Sequence, residues 1–216
     1  MSEATPEPAH DHSPGGAVDV LVVCTANIAR SPLLARRLQA EADDRLGVGI
    51  ATIDSAGVDA RFGDGAAEGV RRIAASWGLD LDRHASKSHR YVPLEAVPLK
   101  IAMTRYHVRA LAARNPGVAS TTFTAVEFST CLERLRATGR LPAMPECPAT
   151  GQALRRHLTE LVTAAGQVRP RPRWWRPTAW DIPDPAGHDQ RVYDELGERF
   201  VELSASIGDA LFGPHR

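Results

Sequence analysis

Val18 to Cys24 (VDVLVVC) is an apolar run dominated by valine, the pattern of a strand buried on both faces of a parallel sheet, and it stops at a cysteine. Proline is tolerated in a first helical turn, so Ser31-Pro32 opens a helix whose stretch LLARRLQAEADDRL places Leu33, Leu34 and Leu38 on one side. The same alternation recurs. A strand is expected at Ile50 to Ser55, then a glycine-rich turn (SAGVDARFGDG), then a helix over Ala66 to Trp77 with Val70, Ile73 and Trp77 at helical spacing. A third strand fits Leu99 to Met103 and a helix Tyr106 to Arg114. A fourth strand fits Thr121 to Val126, with another helix around Leu132 and Leu135. From Arg191 to Leu211, apolar residues at intervals of three and four (Leu196, Phe200, Leu203, Ile207, Leu211) predict a docking helix.

Strands alternating with helices predict an α/β fold: an open four-stranded parallel sheet with helices on both faces. Ligands in such folds bind beyond the carboxyl ends of the strands, where the strand order reverses. The stretch from about 138 to 180 leaves this rhythm. It holds TGRLPAMPECPATG, a helix expected at Gln152 to Ala165, and VRPRPRWWRPTAW, and it reads as an insertion in a single domain spanning 18–216. Residues 1–17, polar and rich in proline and glycine, read as a disordered tail.

Composition narrows the partners. Twenty-six basic and 26 acidic residues cancel, so nothing in the totals calls for nucleic acid or an anionic membrane. No apolar run approaches the roughly 20 residues of a membrane span, so no membrane insertion is expected. Three cysteines (Cys24, Cys131 and Cys147) are too few and too scattered for a disulfide scaffold, and their odd number fits the reducing cytoplasm. His84, His107 and His188 show no metal-like spacing and read as structural or solvated, so no metal is expected. Cys131 reads as a core residue. The dense arginine and tryptophan of Arg169 to Trp180 reads as a loop stapling the insertion to the core, or as a rim for a polyanion.

The chemistry concentrates in Cys24-Thr25-Ala26-Asn27-Ile28-Ala29-Arg30-Ser31, set between strand and helix. A six-residue loop has a contour of roughly 20 Å, enough to encircle one phosphate with inward N–H groups. The following helix points its positive end at the same spot, and cysteines in such fields favour thiolate over thiol. Cys24 is thus the candidate nucleophile. Arg30 can grip two phosphate oxygens bidentately, and Ser31 can hydrogen-bond the sulfur. Thr25, Ala26, Asn27, Ile28, Ala29 and Ser31 are the candidate substrate-binding residues. A leaving oxygen needs an acid, and Asp184, stiffened by prolines within Asp181-Ile182-Pro183-Asp184-Pro185, is the best candidate, with Asp181 its rival.

The chain resembles the low-molecular-weight protein tyrosine phosphatases of bacterial type. The match runs through VLVVCTANIARSP, DSAG at 54–57, GLDLDRHASK at 78–87, IAMT at 101–104 and IPDP at 182–185, over about residues 18–137 and 181–211. The resemblance implies the phosphotyrosine phosphatase I-like sheet, a cysteinyl-phosphate intermediate, no cofactor, and a phosphotyrosine-bearing protein or small phosphomonoester as substrate. It assigns Asn27 and Ser55 to a network that shapes the loop. Ala29 stands where many members carry a second cysteine, and Ala186 and Gly187 follow Asp184-Pro185 where many carry an aromatic residue. Arg61 and Phe62 are the candidates for that missing wall. Ile28 resembles the phosphotyrosine-type members, whereas members acting on phosphoarginine have threonine there. Two alternatives remain: an arsenate reductase on the same fold, and a catalytically idle phosphate-binding module.

Overall fold

The computed structural model describes residues 17–145, 150–170 and 178–214. Four strands form one parallel sheet: β1 (Val20–Cys24), β2 (Ile53–Gly57), β3 (Leu99–Ala102) and β4 (Thr122–Thr124), in the order β2-β1-β3-β4. The helices α1 (Arg30–Leu46), α2 (Glu68–Ser76) and α3 (Arg105–Arg114) lie between them, and α4 (Ala125–Ala137), α5 (Gly151–Gln167) and α6 (Gln190–Phe212) follow. β1 is buried throughout and its side chains alternate between two cores. Val20, Val22 and Cys24 meet α1, α4, α5 and α6, whereas Leu21 and Val23 meet Leu111 of α3 and the turn residues Leu94, Val97 and Val118. Both faces are therefore covered, as the valine-rich run predicts. Order reverses at β1, so its carboxyl end, Cys24, lies at the switch point.

The bounds of β2 and β4 differ from expectation for local reasons. β2 runs to Gly57 rather than ending at Ser55, because Gly57 pairs with Cys24 and a Cβ there would meet the Thr25 carbonyl oxygen at 2.3 Å. Its start moves to Ile53 because Ile50 is turned back, its N–H donating to the Gly47 carbonyl. β4 stops at Thr124 because that threonine caps α4. Its hydroxyl accepts from the Glu127 N–H at 3.1 Å, and the Glu127 carboxylate accepts from the Thr124 N–H. Val126, expected in the strand, therefore lies in the helix.

Most of the expected tail (1–16), Cys147 and residues 171–177 of the arginine and tryptophan stretch lie outside the described residues. The helix expected at 152–165 is α5, and it buries Leu154, Leu158, Leu161, Val162 and Ala165 in the main core. Its Arg155 binds the Asp19 carboxylate at 2.8 Å and donates to the Val18 carbonyl at 2.7 Å. Each buried leucine contributes about 1.5–3 kcal/mol, so α5 is part of what holds the sheet. No helix among the described residues is long and apolar enough to cross a membrane.

Candidate active site at the end of β1

The loop between β1 and α1 is held from outside by its carbonyl groups. The carbonyls of Cys24 and Thr25 accept from the Val58 and Asp59 N–H groups at 2.9 and 3.0 Å. The carbonyl of Asn27 accepts from His84 Nε2 at 2.7 Å, and that of Ile28 from the Ala67 N–H at 2.7 Å. Carbonyls drawn outward leave N–H groups to face the ring's centre, the arrangement of an anion nest. Asn27 makes this possible by adopting φ 57°, a left-handed conformation that asparagine tolerates better than most residues. Its own N–H donates to Cys24 Sγ at 3.3 Å. The first turn of α1 has no side-chain cap, so its positive end is turned toward the loop without competition.

A buried network fixes one flank. Asn27 Nδ2 donates to Ser55 Oγ at 2.8 Å and to Ser31 Oγ at 3.0 Å, and Asn27 Oδ1 accepts from the Lys87 N–H at 2.9 Å. Ser31 Oγ lies 3.0 Å from Cys24 Sγ. Asn27 and Ser31 are fully buried. The nucleophile candidate thus has two polar neighbours, a hydroxyl and a backbone N–H, at the positive end of a helix. His84 completes this flank. Burial, with Lys87 adding a like charge, lowers its pKa, which keeps the ring neutral and its Nε2–H on Asn27.

The other flank is charged. The buried Arg30 guanidinium donates through Nη1 to the Ile182 carbonyl at 3.0 Å and through Nη2 to Thr25 Oγ1 at 3.3 Å, and it forms a salt bridge with Asp184. Its Nε is buried without a hydrogen-bond partner among the described residues. Asp184 is half exposed, at 45%. The backbone around it is pinned to the end of β3: the Ile182 N–H donates to the Met103 carbonyl at 2.8 Å, and the Asp181 carboxylate accepts from the Arg105 N–H at 2.8 Å. The two aspartates are placed differently. Asp181 holds the first turn of α3, whereas Asp184 reaches the loop.

The structure therefore brings Cys24, Thr25, Asn27, Arg30, Ser31, Ser55 and Asp184 together. His84 and His107 are structural, in keeping with the reading from metal spacing, and the structure adds what they hold: both hydrogen-bond the loop, His107 through Nε2 to Thr25 Oγ1 at 3.0 Å. His188 is exposed, in keeping with that reading. The one sequence signal for His107 was Thr104 three residues earlier, a capping box with histidine in the place of glutamate. Phe62 is 52% exposed on the turn that also supplies the Ala67 N–H to Ile28. Cys131 is wholly buried in α4, and burial pushes its thiol up to about 11. Among the described residues, no group of three or more His, Cys, Asp or Glu is placed to hold a metal.

A family model described as low molecular weight phosphotyrosine protein phosphatase matches residues 19–133. No curated protein matches the chain. Among solved structures it is similar to Vibrio vulnificus Wzb in complex with benzylphosphonate, at 19% identity over 90% of this chain and 99% of that one, with a TM-score of 0.58. The low molecular weight protein tyrosine phosphatase from T. tengcongensis is 23% identical over 88% and 97% of the two chains, with a TM-score of 0.59. The YwlE arginine phosphatase from Geobacillus stearothermophilus is 20% identical over 89% and 91%, with a TM-score of 0.58. At these identities the likeness is one of fold.

Proposed function

Because the chain belongs to the low molecular weight phosphotyrosine protein phosphatase family, we propose that it hydrolyses phosphotyrosine and similar phosphomonoesters through a phosphorylated Cys24. The observation that carries this reading is Cys24 Sγ at the positive end of α1, between Ser31 Oγ and the Asn27 N–H, with the Arg30–Asp184 pair on the opposite flank.

In this reading Asp184, parted from Arg30 by the incoming phosphate, takes up a proton from water; the Cys24 thiolate then attacks phosphorus, and the bond to the leaving oxygen breaks as Asp184 passes that proton to it. Arg30 turns from Asp184 to the phosphoryl oxygens, and its unpartnered Nε–H gains an acceptor. Asp184, now a carboxylate, takes a proton from water as the water attacks the cysteinyl phosphate. Phosphate leaves, and the thiolate returns to its two hydrogen bonds. The inward N–H groups of Thr25 to Ala29 and of Ser31 hold the phosphoryl group, with Asn27 and Ser55 keeping the loop in shape. Ile28 supports phosphotyrosine over phosphoarginine, the latter being the activity for which the Geobacillus neighbour is named.

The buried, high-pKa Cys131 is a poor relay for electrons, which weighs against arsenate reduction. Cys24 and Asp184 both stand in the site, which weighs against an idle module. The described cysteines are unpaired, in support of a reducing cytoplasm. We read residues 18–216 as one domain, with 138–180 an insertion packed on it through α5.

The test is hydrolysis of para-nitrophenyl phosphate without added metal, beside Cys24→Ser and with arsenate reduction assayed in parallel. Hydrolysis lost in Cys24→Ser is the expected result. Arsenate consumed without hydrolysis would replace this reading with the reductase, and phosphate binding without either reaction would replace it with a binding module.

A further inference from the structure

His107 uses both ring nitrogens. Nδ1 lies 3.1 Å from the Thr104 backbone nitrogen and 2.9 Å from Thr104 Oγ1, and the backbone N–H can only donate. Nδ1 is therefore the bare nitrogen and Nε2 carries the hydrogen. That hydrogen points at Thr25 Oγ1, 3.0 Å away. A second donor, Arg30 Nη2, reaches the same hydroxyl oxygen at 3.3 Å. A threonine hydroxyl has two lone pairs and one hydrogen. With both lone pairs taken, Thr25 Oγ1 is left with only its hydrogen to offer, beside the guanidinium nitrogen that also binds Asp184.

We propose that His107 is a positioning residue that turns the Thr25 hydroxyl into an obligate donor, aimed at the phosphoryl oxygen gripped by Arg30. The inference rests on the phosphatase reading above. It adds a side-chain donor to the ring of backbone N–H groups, placed where charge grows on the equatorial oxygens. It also gives the junction of β3 and α3 two tasks. Met103 and Arg105 hold the acid segment through backbone groups, and His107, two residues on, holds the loop. His107 is 1% exposed, and burial, with the Arg30 charge adding, pushes it down to about 4. The imidazole therefore stays neutral with its hydrogen on Nε2 across the pH range in which a thiolate works.

Four variants of the full chain separate this role from a purely structural one. His107→Asn keeps an oxygen near the Nδ1 position, to accept from the Thr104 N–H, but is too short to reach Thr25. His107→Gln reaches as far as Nε2 and keeps an N–H donor. Thr25→Val removes the hydroxyl and Thr25→Ser retains it. Single donors of this kind in buried sites are worth about 10²–10³-fold, and Thr25 is only half buried, so a fall of about tenfold in kcat is expected for Thr25→Val and for His107→Asn. The double variant should fall no further than either alone. His107→Gln and Thr25→Ser should stay within about threefold of the parent.

Wild-type kcat in His107→Asn, or multiplicative losses in the double variant, would overturn the proposal. A long-range ¹H–¹⁵N spectrum should show the Nε2–H tautomer at neutral pH, and Nδ1–H would also overturn it. If the parent does not hydrolyse para-nitrophenyl phosphate, the phosphatase reading fails by itself. Calorimetric binding of inorganic phosphate then decides the donor alone: weaker binding by Thr25→Val supports it and equal binding overturns it.

Discussion

The two flanks of the nucleophile loop are built from different materials. Asn27, Ser31, Ser55 and His84 form a flank of neutral groups, mostly buried, each hydrogen-bonded to another part of the fold. Arg30, Asp184, Thr25 and His107 form a flank in which a buried cation meets a half-exposed carboxylate and a hydroxyl. The first set has every reason to stay where it is, since a buried polar group that loses its partner costs about 1–3 kcal/mol. The second contains a pair that an incoming dianion can part, because Asp184 regains water when it lets go of Arg30. On the proposed mechanism, one flank shapes the loop and the other exchanges partners with the substrate.

The largest effect should come from the exchanging flank. Asp184→Asn removes the proposed acid and retains the size, so kcat for para-nitrophenyl phosphate should fall by about 10²–10³-fold. Stability should hardly change, because Asp184 is half exposed and the asparagine amide oxygen still accepts from the buried Arg30 guanidinium. A thermal melt beside the kinetics checks both halves. A melting temperature that dropped with the activity would mean that the pair holds the fold, and the contrast between flanks would be lost.

Asn27→Ala should reverse the pattern. It removes two donated hydrogen bonds and one accepted bond and places alanine at φ 57°. The summed cost is about 3 kcal/mol in unfolding free energy, measured by urea denaturation, with activity falling because the loop loses its shape. Loss of activity at unchanged stability would show that this flank, too, acts on the substrate rather than on the loop.

How far the sequence carried this picture differs along the chain. Cys24, Arg30 and Ser31 were legible because the anion loop is contiguous: one apolar run, one fixed spacing and one helix start specify it. Asp184 stood out only through its prolines, and which of it and Asp181 meets Arg30 needed the structure. The spacing of the two aspartates says nothing about which reaches Arg30 until Ile182 is paired with Met103 beyond β3. His84 and His107 were legible as structural, but not what they hold, for a related reason. Their partners, Asn27 and Thr25, are 57 and 82 residues away, and such contacts leave no local pattern. The end of β4 was a different kind of miss, since the Thr124–Glu127 capping box is visible in the sequence and outweighs the strand propensity of Val126.

The smallest effect concerns the imidazole that each flank carries. Both His84 and His107 are lowered from 6.5 chiefly by burial, His107 to about 4. The unfolded chain therefore binds more protons than the native one below pH 6.5, and the stability present above that pH is lost as pH falls toward the folded value. For His107 the loss between pH 7 and pH 5 comes to about 2 kcal/mol. Urea midpoints across that window should fall for the parent, and the fall should be shallower in His107→Asn and in His84→Asn, each of which removes one of the lowered imidazoles. The difference between parent and variant is the quantity to read, because Asp19 and Glu127, both raised by burial, contribute with the opposite sign and cancel in it. The kinetics then separate the flanks. His84 acts through the shape of the loop, so His84→Asn should lose stability and activity together. His107 acts through a single hydroxyl, so His107→Asn should lose activity at every pH, including those where its stability equals that of the parent.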